Sequence, residues 1–161
     1  MIRERSITWE DPGPGTAKGL AMPGIEYMQA VMKGELPAPP IASTLQFELV
    51  EAEVGRAVFT CTPDESVYNP IGAVHGGLVC TLLDSAAGCA LPTTLPQGKG
   101  YTSVEIKVTY LKAVRADSGL LTVTGTVVRA GSRVGFTEAT VVDGSGTLVA
   151  TASSTLLIFD L

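Results

Sequence analysis

The 161-residue chain is poor in the residues on which many site chemistries rest. It has one histidine, His75, and a single imidazole cannot by itself make a zinc site. Its three cysteines, Cys61, Cys80 and Cys89, are odd in number and none stands in a Cys-x-x-Cys pair, so buried free thiols are expected and no metal is. No Gly-x-Ser-x-Gly occurs, which disfavours a serine hydrolase of the α/β kind. Basic residues are few: 11 Lys+Arg against 16 Asp+Glu give a net charge of −5. That balance argues against nucleic acid as a partner and leaves room only for a local basic patch. No apolar run approaches the roughly 18 to 20 residues needed to cross a bilayer. The first residues, Met1-Ile-Arg-Glu-Arg5, lack the apolar stretch of a secretory signal. A cytoplasmic protein with no membrane contact is expected.

What the chain does have is apolar substance, 45% of residues, enough to build one domain around a real core. Residues 1–40 carry breakers, Asp11-Pro-Gly-Pro-Gly15, Pro23-Gly24 and Pro37-Ala-Pro-Pro40, and read as an N-terminal arm. Within it, Ile25, Met28, Val31 and Met32 have the spacing of one short amphipathic helix with Pro23 near its first turn. Trp9 is the candidate anchor of the arm, which can equally serve as the cover of a substrate entrance. From Ile41 the pattern changes to period two and opens a domain spanning 41–161. Leu45–Val54 and Arg56–Thr62 read as a hairpin about Gly55. After a helix come four strand candidates, Tyr101–Leu111, Leu120–Arg129, Val134–Val142 and Leu148–Phe159, joined by turn-forming residues. Short joints favour antiparallel neighbours. The expected fold class is α+β, one curled antiparallel sheet wrapped around one long central helix.

That helix follows Asn69-Pro-Ile-Gly-Ala-Val-His75-Gly-Gly77 and is apolar on all sides except for Asp84. A helix of this kind must be covered all round, and burying a lone carboxylate is costly. Gly76 and Gly77 fall where a first turn offers unpaired N–H groups. They either permit a tight turn or let a polarised carbonyl oxygen approach the backbone. His75 reads as a hydrogen-bonded residue that orients its neighbours. Asp84, a poor helix former, is either tied to Ser85 or a strand, or attacks an acyl carbon or takes a proton from water. Gly76 and Asp84 lie about 12 Å apart along the helix, too far to serve one carbonyl. If both act, a second copy must run antiparallel past the first, as a two-fold dimer arranges.

With these residues in view, the chain resembles the hotdog-fold acyl-CoA thioesterases of the PaaI-like branch, related to the 4-hydroxybenzoyl-CoA thioesterases. The resemblance covers about residues 41–160. It rests on Asn69-Pro-x-Gly-x-Val-His75-Gly-Gly, Asp84, Thr102-Ser-Val-Glu-Ile-Lys-Val-Thr-Tyr-Leu111, Gly131-Ser-Arg-Val-Gly-Phe-Thr-Glu138 and Asp143-Gly-Ser-Gly-Thr-Leu-Val-Ala-Thr151. It implies that Asn69 and the Gly76 N–H polarise a thioester carbonyl, with His75 positioning the group. Asp84 of a partner subunit would be nucleophile or general base, and a strand hydroxyl, Ser103 first and Thr102 second, would help place the water. Coenzyme A then belongs to the substrate, and no separate cofactor is implied. Its phosphates need cations or turn amides. Arg129, Ser132 and Arg133 are the candidates, with Lys107 or Lys112 as possible contributors. The implied assembly is a homodimer, associating further as a dimer of dimers.

Two other functions fit parts of the pattern. A hotdog-fold enoyl-CoA hydratase or dehydratase also sets a histidine and an acid across a dimer, but the expected histidine followed closely by Phe-Pro-Gly is absent. A non-catalytic acyl-CoA-binding dimer would have no need of a carboxylate beside the scissile bond.

Overall fold

The computed structural model describes residues 1–161. Three helices come first: α1 Pro12–Leu20, α2 Gly24–Met32 and α3 Pro40–Leu45. The hairpin β1 Phe47–Glu53 and β2 Arg56–Cys61 leads through a loop to the central helix α4, Gly76–Ala90. Four strands complete the chain: β3 Lys99–Tyr110, β4 Leu121–Ala130, β5 Val134–Val142 and β6 Leu148–Asp160. Gly55, at φ 79°, supplies the left-handed residue of the β1–β2 turn.

The strands form one six-stranded antiparallel sheet in the order β1-β2-β4-β5-β6-β3. The hairpins β4–β5 and β5–β6 pair as their short joints require. The strand β3 instead pairs with β6 at the far edge, and residues 111–120 cross over to bring β4 beside β2. Four bulges each place an extra valine in the ladders, Val50 in β1, Val104 in β3, Val128 in β4 and Val149 in β6. Each increases local twist, and together they help the sheet curl about α4.

The core is the contact between that curl and α4. Leu82, Leu83, Ala86 and Ala87 are fully buried against Val123 of β4, Val141 of β5 and Ala150 of β6. The closest approach is at Gly125, where a side-chain carbon would fall 2.0 Å from the Ala86 carbonyl oxygen. Only glycine lets the helix backbone rest directly on the strand.

Several sequence expectations are corrected. The arm has two helices rather than one, because Asp11-Pro12 is a start signal: Asp11 caps α1, accepting from Gly13 N at 2.9 Å, with proline at the first turn. The segment from Ile41 is also helical, begun by Pro40 and ended by Gln46 at φ 56°, so β1 starts at Phe47. Trp9 is 62% exposed beside Pro37, Ala38 and Ser43, so little of it is buried as an anchor. The arm's amino end is held by arginines instead: Arg5 bonds to Gln46, Ser66 and the Thr44 carbonyl, and Arg3 pairs with Glu65. Nor is α4 covered all round. Its own sheet leaves a stripe of Gly77, Thr81, Asp84 and Ser85 partly open.

Replacing Gly125 with valine forces the strand off the helix and is expected to cost about 3 kcal/mol. That corresponds to a fall in melting temperature of about 6–12 °C for a chain of this length. An unchanged melting temperature in differential scanning calorimetry would contradict the backbone contact.

Candidate active site

The loop before α4 is built to present donors. Asn69 Oδ1 accepts from Ile71 N and Ala73 N, each at 3.1 Å, and Gly72 takes the positive φ, 78°, that the tight turn demands. The loop is pinned to its surroundings by His75 N donating to Val67 O at 2.8 Å and Val74 N donating to Val114 O at 2.9 Å. With its oxygen engaged by two amides, the Asn69 side chain has its NH2 group left over as a donor.

His75 is the N-cap of α4, and its Nδ1 accepts from Gly77 N at 2.8 Å. The imidazole thus takes one of the first-turn amides, and Leu78 N is taken by His75 O at 3.0 Å. The Gly76 N–H is left without an acceptor in the chain. Asn69 and Gly76 open on the same cavity of ≈ 320 Å³, whose apolar wall includes Val79, Val114 and Val149. A pair of N–H donors against an apolar wall is equipment for binding the oxygen of a polarised carbonyl.

Sequence reasoning missed one residue here. The Tyr110 hydroxyl donates to the Gly76 carbonyl at 2.8 Å and its ring lines the same cavity. Strict alternation along β3 sets Ser103 and Tyr110 on opposite faces. The bulge at Val104 shifts the phase, so that Ser103, Ile106, Val108 and Tyr110 all turn toward α4.

Two turns into α4, Asp84 accepts from Ser103 Oγ at 3.0 Å. Thr102 is exposed, and its place in the alternation turns it to the outer face. Cys80 lies between Gly76 and Asp84 on the same stripe. Burial, then the Asp84 charge, push its thiol up, so it stays protonated and poorly nucleophilic at neutral pH. Burial likewise pushes Cys61 up to about 11 and Cys89 to about 12.

The structure therefore brings Asn69, His75 and Gly76 together at the start of α4, and Asp84 with Ser103 near its middle. Arg129, Ser132 and Arg133 join neither group. They are exposed on the β4–β5 turn, past the other end of α4, where Gly135 packs beneath the Leu91 side chain. Lys112 lines the cavity that holds Asn69 and Gly76, and its Nζ donates to the buried Asp143 at 2.9 Å. Lys107 faces outward beside Glu138 and Ser153, away from α4.

The chain matches the family model described as the thioesterase superfamily over residues 71–150. A protein of Halobacterium salinarum that carries an esterase name is 38% identical over 47% of this chain and 50% of its own length. Human acyl-coenzyme A thioesterase 13 is 31% identical over 56% of this chain and 63% of that one. The chain thus spans half to under two thirds of the length of these relatives. An esterase-named protein of Saccharolobus solfataricus is 30% identical over 71% of this chain and 80% of its own. Among solved structures, a thioesterase-described, phenylacetic acid degradation-related protein of Ralstonia eutropha JMP134 superposes with a TM-score of 0.74. It is 26% identical, covering 81% of this chain and 98% of that one. A Streptococcus mutans protein solved with acetyl CoA bound superposes with a TM-score of 0.65 at 25% identity, over 71% of this chain and 89% of its own. The chain belongs to the thioesterase superfamily and has its hotdog fold.

Asp143 gives a test of local electrostatics beside the site. The Ser145 hydroxyl, the Lys112 ammonium and the Thr147 and Ser145 amides hold its carboxyl well below the usual carboxylate range. A depressed folded-state value means stability fully present above the ordinary aspartate value, about 3.9, and lost progressively as pH falls below it. Asp143→Asn removes this contribution, so its deficit in urea unfolding against the wild type is expected to be clear at neutral pH and to shrink on acidification below about pH 3. A deficit of constant size would contradict the assignment.

Proposed function

We propose that the protein hydrolyses an acyl- or aryl-CoA thioester at a site shared by two copies of the chain. The observation that carries this reading is the Ser103-bonded carboxylate of Asp84 on the open stripe of a helix whose first N–H, at Gly76, is unpaired beside Asn69. The relatives' names and the coenzyme ligand of the Streptococcus protein support the choice of a CoA thioester over another ester.

In this reading the thioester oxygen sits between the Asn69 NH2 group and the Gly76 N–H of one subunit, with His75 and Tyr110 holding the glycine peptide in place. About 12 Å of helix separates Gly76 from Asp84, so the acid comes from the other subunit, whose α4 runs antiparallel against the open stripe. Ser103 occupies Oδ1 of Asp84 and leaves Oδ2 for a water. The carboxylate takes a proton as the water oxygen bonds to the carbonyl carbon. The tetrahedral oxyanion then collapses, the C–S bond breaks, and the proton held by Asp84 passes to the thiolate, which leaves as free coenzyme A and restores the carboxylate. Attack by Asp84 itself would expel the thiolate and form a mixed anhydride, and water opening it at the Asp84 carbon would leave solvent oxygen in the Asp84 carboxyl rather than in the released acid, which single turnover in labelled water distinguishes.

Arg129, Ser132 and Arg133 fit the nucleotide phosphates in the same arrangement. An antiparallel partner brings the start of its α4 to the end of the first helix where these residues lie. Neither arginine has an acidic partner in the chain, and both are free for phosphate.

The expected outcomes are specific. Asp84→Asn lowers kcat on a competent acyl-CoA by about 10³-fold or more with the fold intact, and Asn69→Ala by about 10²- to 10³-fold. Ser103→Ala costs about tenfold, whereas Thr102→Ala leaves turnover within about twofold. Arg129→Ala with Arg133→Ala raises KM more than it lowers kcat. Release of free thiol measured at saturating substrate reads each effect. Turnover by Asp84→Asn at the wild-type rate would overturn the reading.

A further inference from the structure

The N-terminal arm lies outside the region that matches the family model, 71–150, yet its first residues are tied to the loop that carries the carbonyl donors. That loop begins with a single 3-10 turn, Glu65–Val67, in which no residue is buried. Packing holds such a turn weakly, so its place depends on polar links. Asp64 caps it, accepting from Ser66 N at 2.8 Å and from the Ser66 hydroxyl. Both donors hang on this turn. Asn69 follows Val67 by two residues along the chain. His75, whose peptide with Gly76 carries the second N–H, donates to Val67 O at 2.8 Å.

Arg5 fixes the turn from outside. Its guanidinium donates to Ser66 Oγ at 3.0 Å, and Asp64 Oδ2 lies 3.8 Å from the same nitrogen. The fork also donates to Gln46 Oε1 at 2.8 Å and to Thr44 O at 3.1 Å, at the end of α3. That helix is seated on the core through the buried Ala42. One planar group thus ties an unburied turn to a buried support, which the single point charge of a lysine would not reproduce. The Arg5 side chain is only 29% exposed. Arg3, paired with Glu65, is 68% exposed and its partner 59%, so water competes for that link and Arg5 is the stronger clamp.

Carbonyl donors act only when held at the right place, and a misplacement of about 1 Å can lower a rate about 10²-fold. We propose that Arg5 is a positioning residue: by clamping the Glu65–Val67 turn to α3 it sets Asn69 and Gly76 together at the spacing that holds the thioester oxygen. The inference rests on the hydrolase reading above. It adds a residue, far from the substrate and outside the matched region, on which the rate depends.

Arg5→Ala is expected to lower kcat about tenfold on an acyl-CoA that the wild type cleaves, with KM within about twofold and melting nearly unchanged. Arg5→Lys, which keeps the charge and loses the fork, is expected to stay within about threefold of Arg5→Ala. Ser66→Ala cuts the same link from the other side; it lowers kcat as well, and added to Arg5→Ala it lowers kcat no further. Wild-type kcat in Arg5→Ala would overturn the proposal, and so would effects of the two substitutions that multiply. NMR reads the donors without substrate. The Gly76 amide and the Asn69 side-chain NH2 are expected to shift in Arg5→Ala, while the Gly125 amide, where β4 meets α4, stays in place. A fall in kcat without those two shifts, or with Gly125 moving as well, would overturn positioning in favour of a general loss of structure. If the wild type cleaved no acyl-CoA thioester, the hydrolase reading would fail by itself, and the two signals would still decide whether Arg5 sets the donors.

Discussion

The backbone of α4 at Ala86 rests on Gly125 with no side chain between them, and this contact decides which way every other residue of the helix faces. Leu82, Leu83, Ala86 and Ala87 go to the sheet, and their burial, at roughly 1.5–3 kcal/mol for each leucine, holds that rotation. Gly77, Thr81, Asp84 and Ser85 are consequently turned away from the sheet and only partly covered. The stripe that looks wasteful in one chain is the surface on which the proposed second copy lies.

The same rotation governs the chemistry. Asp84, with one hydroxyl partner, is tolerable as a carboxylate where water still reaches it. Covering it with a second copy would strengthen each of its interactions by lowering the local dielectric. At the start of the helix the donors are organised before any substrate arrives, through the turn within residues 69–73, the His75 cap and the Tyr110 hydroxyl on the Gly76 carbonyl. Preorganised donors cost no reorganisation at the moment of reaction.

Strong periodicity made most of the fold legible in the sequence: the fifteen-residue apolar helix, the hairpin about Gly55 and the last four strands lie close to where their patterns put them. The elements that escaped did so for local reasons. Proline read as a breaker at Pro12 and Pro40 is also a helix starter, and which role it plays depends on the cap that precedes it and on what packs behind. A bulge leaves no mark in hydrophobic alternation, so the phase change at Val104, and with it Tyr110, was invisible. The fate of Lys112 depended on Asp143, thirty-one positions away, and the side of the sheet taken by β3 depended on a crossover that short-range pattern does not encode. The resemblance of Asn69, His75-Gly76 and Asp84 to a family, rather than their spacing alone, is what suggested their roles.

The central claim is that a carbonyl-binding end from one subunit and an acid from another make one site, and mixing two inactive proteins tests it most directly. Asn69→Ala and Asp84→Asn chains, co-refolded in equal amounts, would form heterodimers in which one site carries both substitutions and the other carries neither. The account predicts recovery to about a quarter of wild-type thioesterase activity. A mixture no more active than its two components, with heterodimers shown to be present, would contradict it.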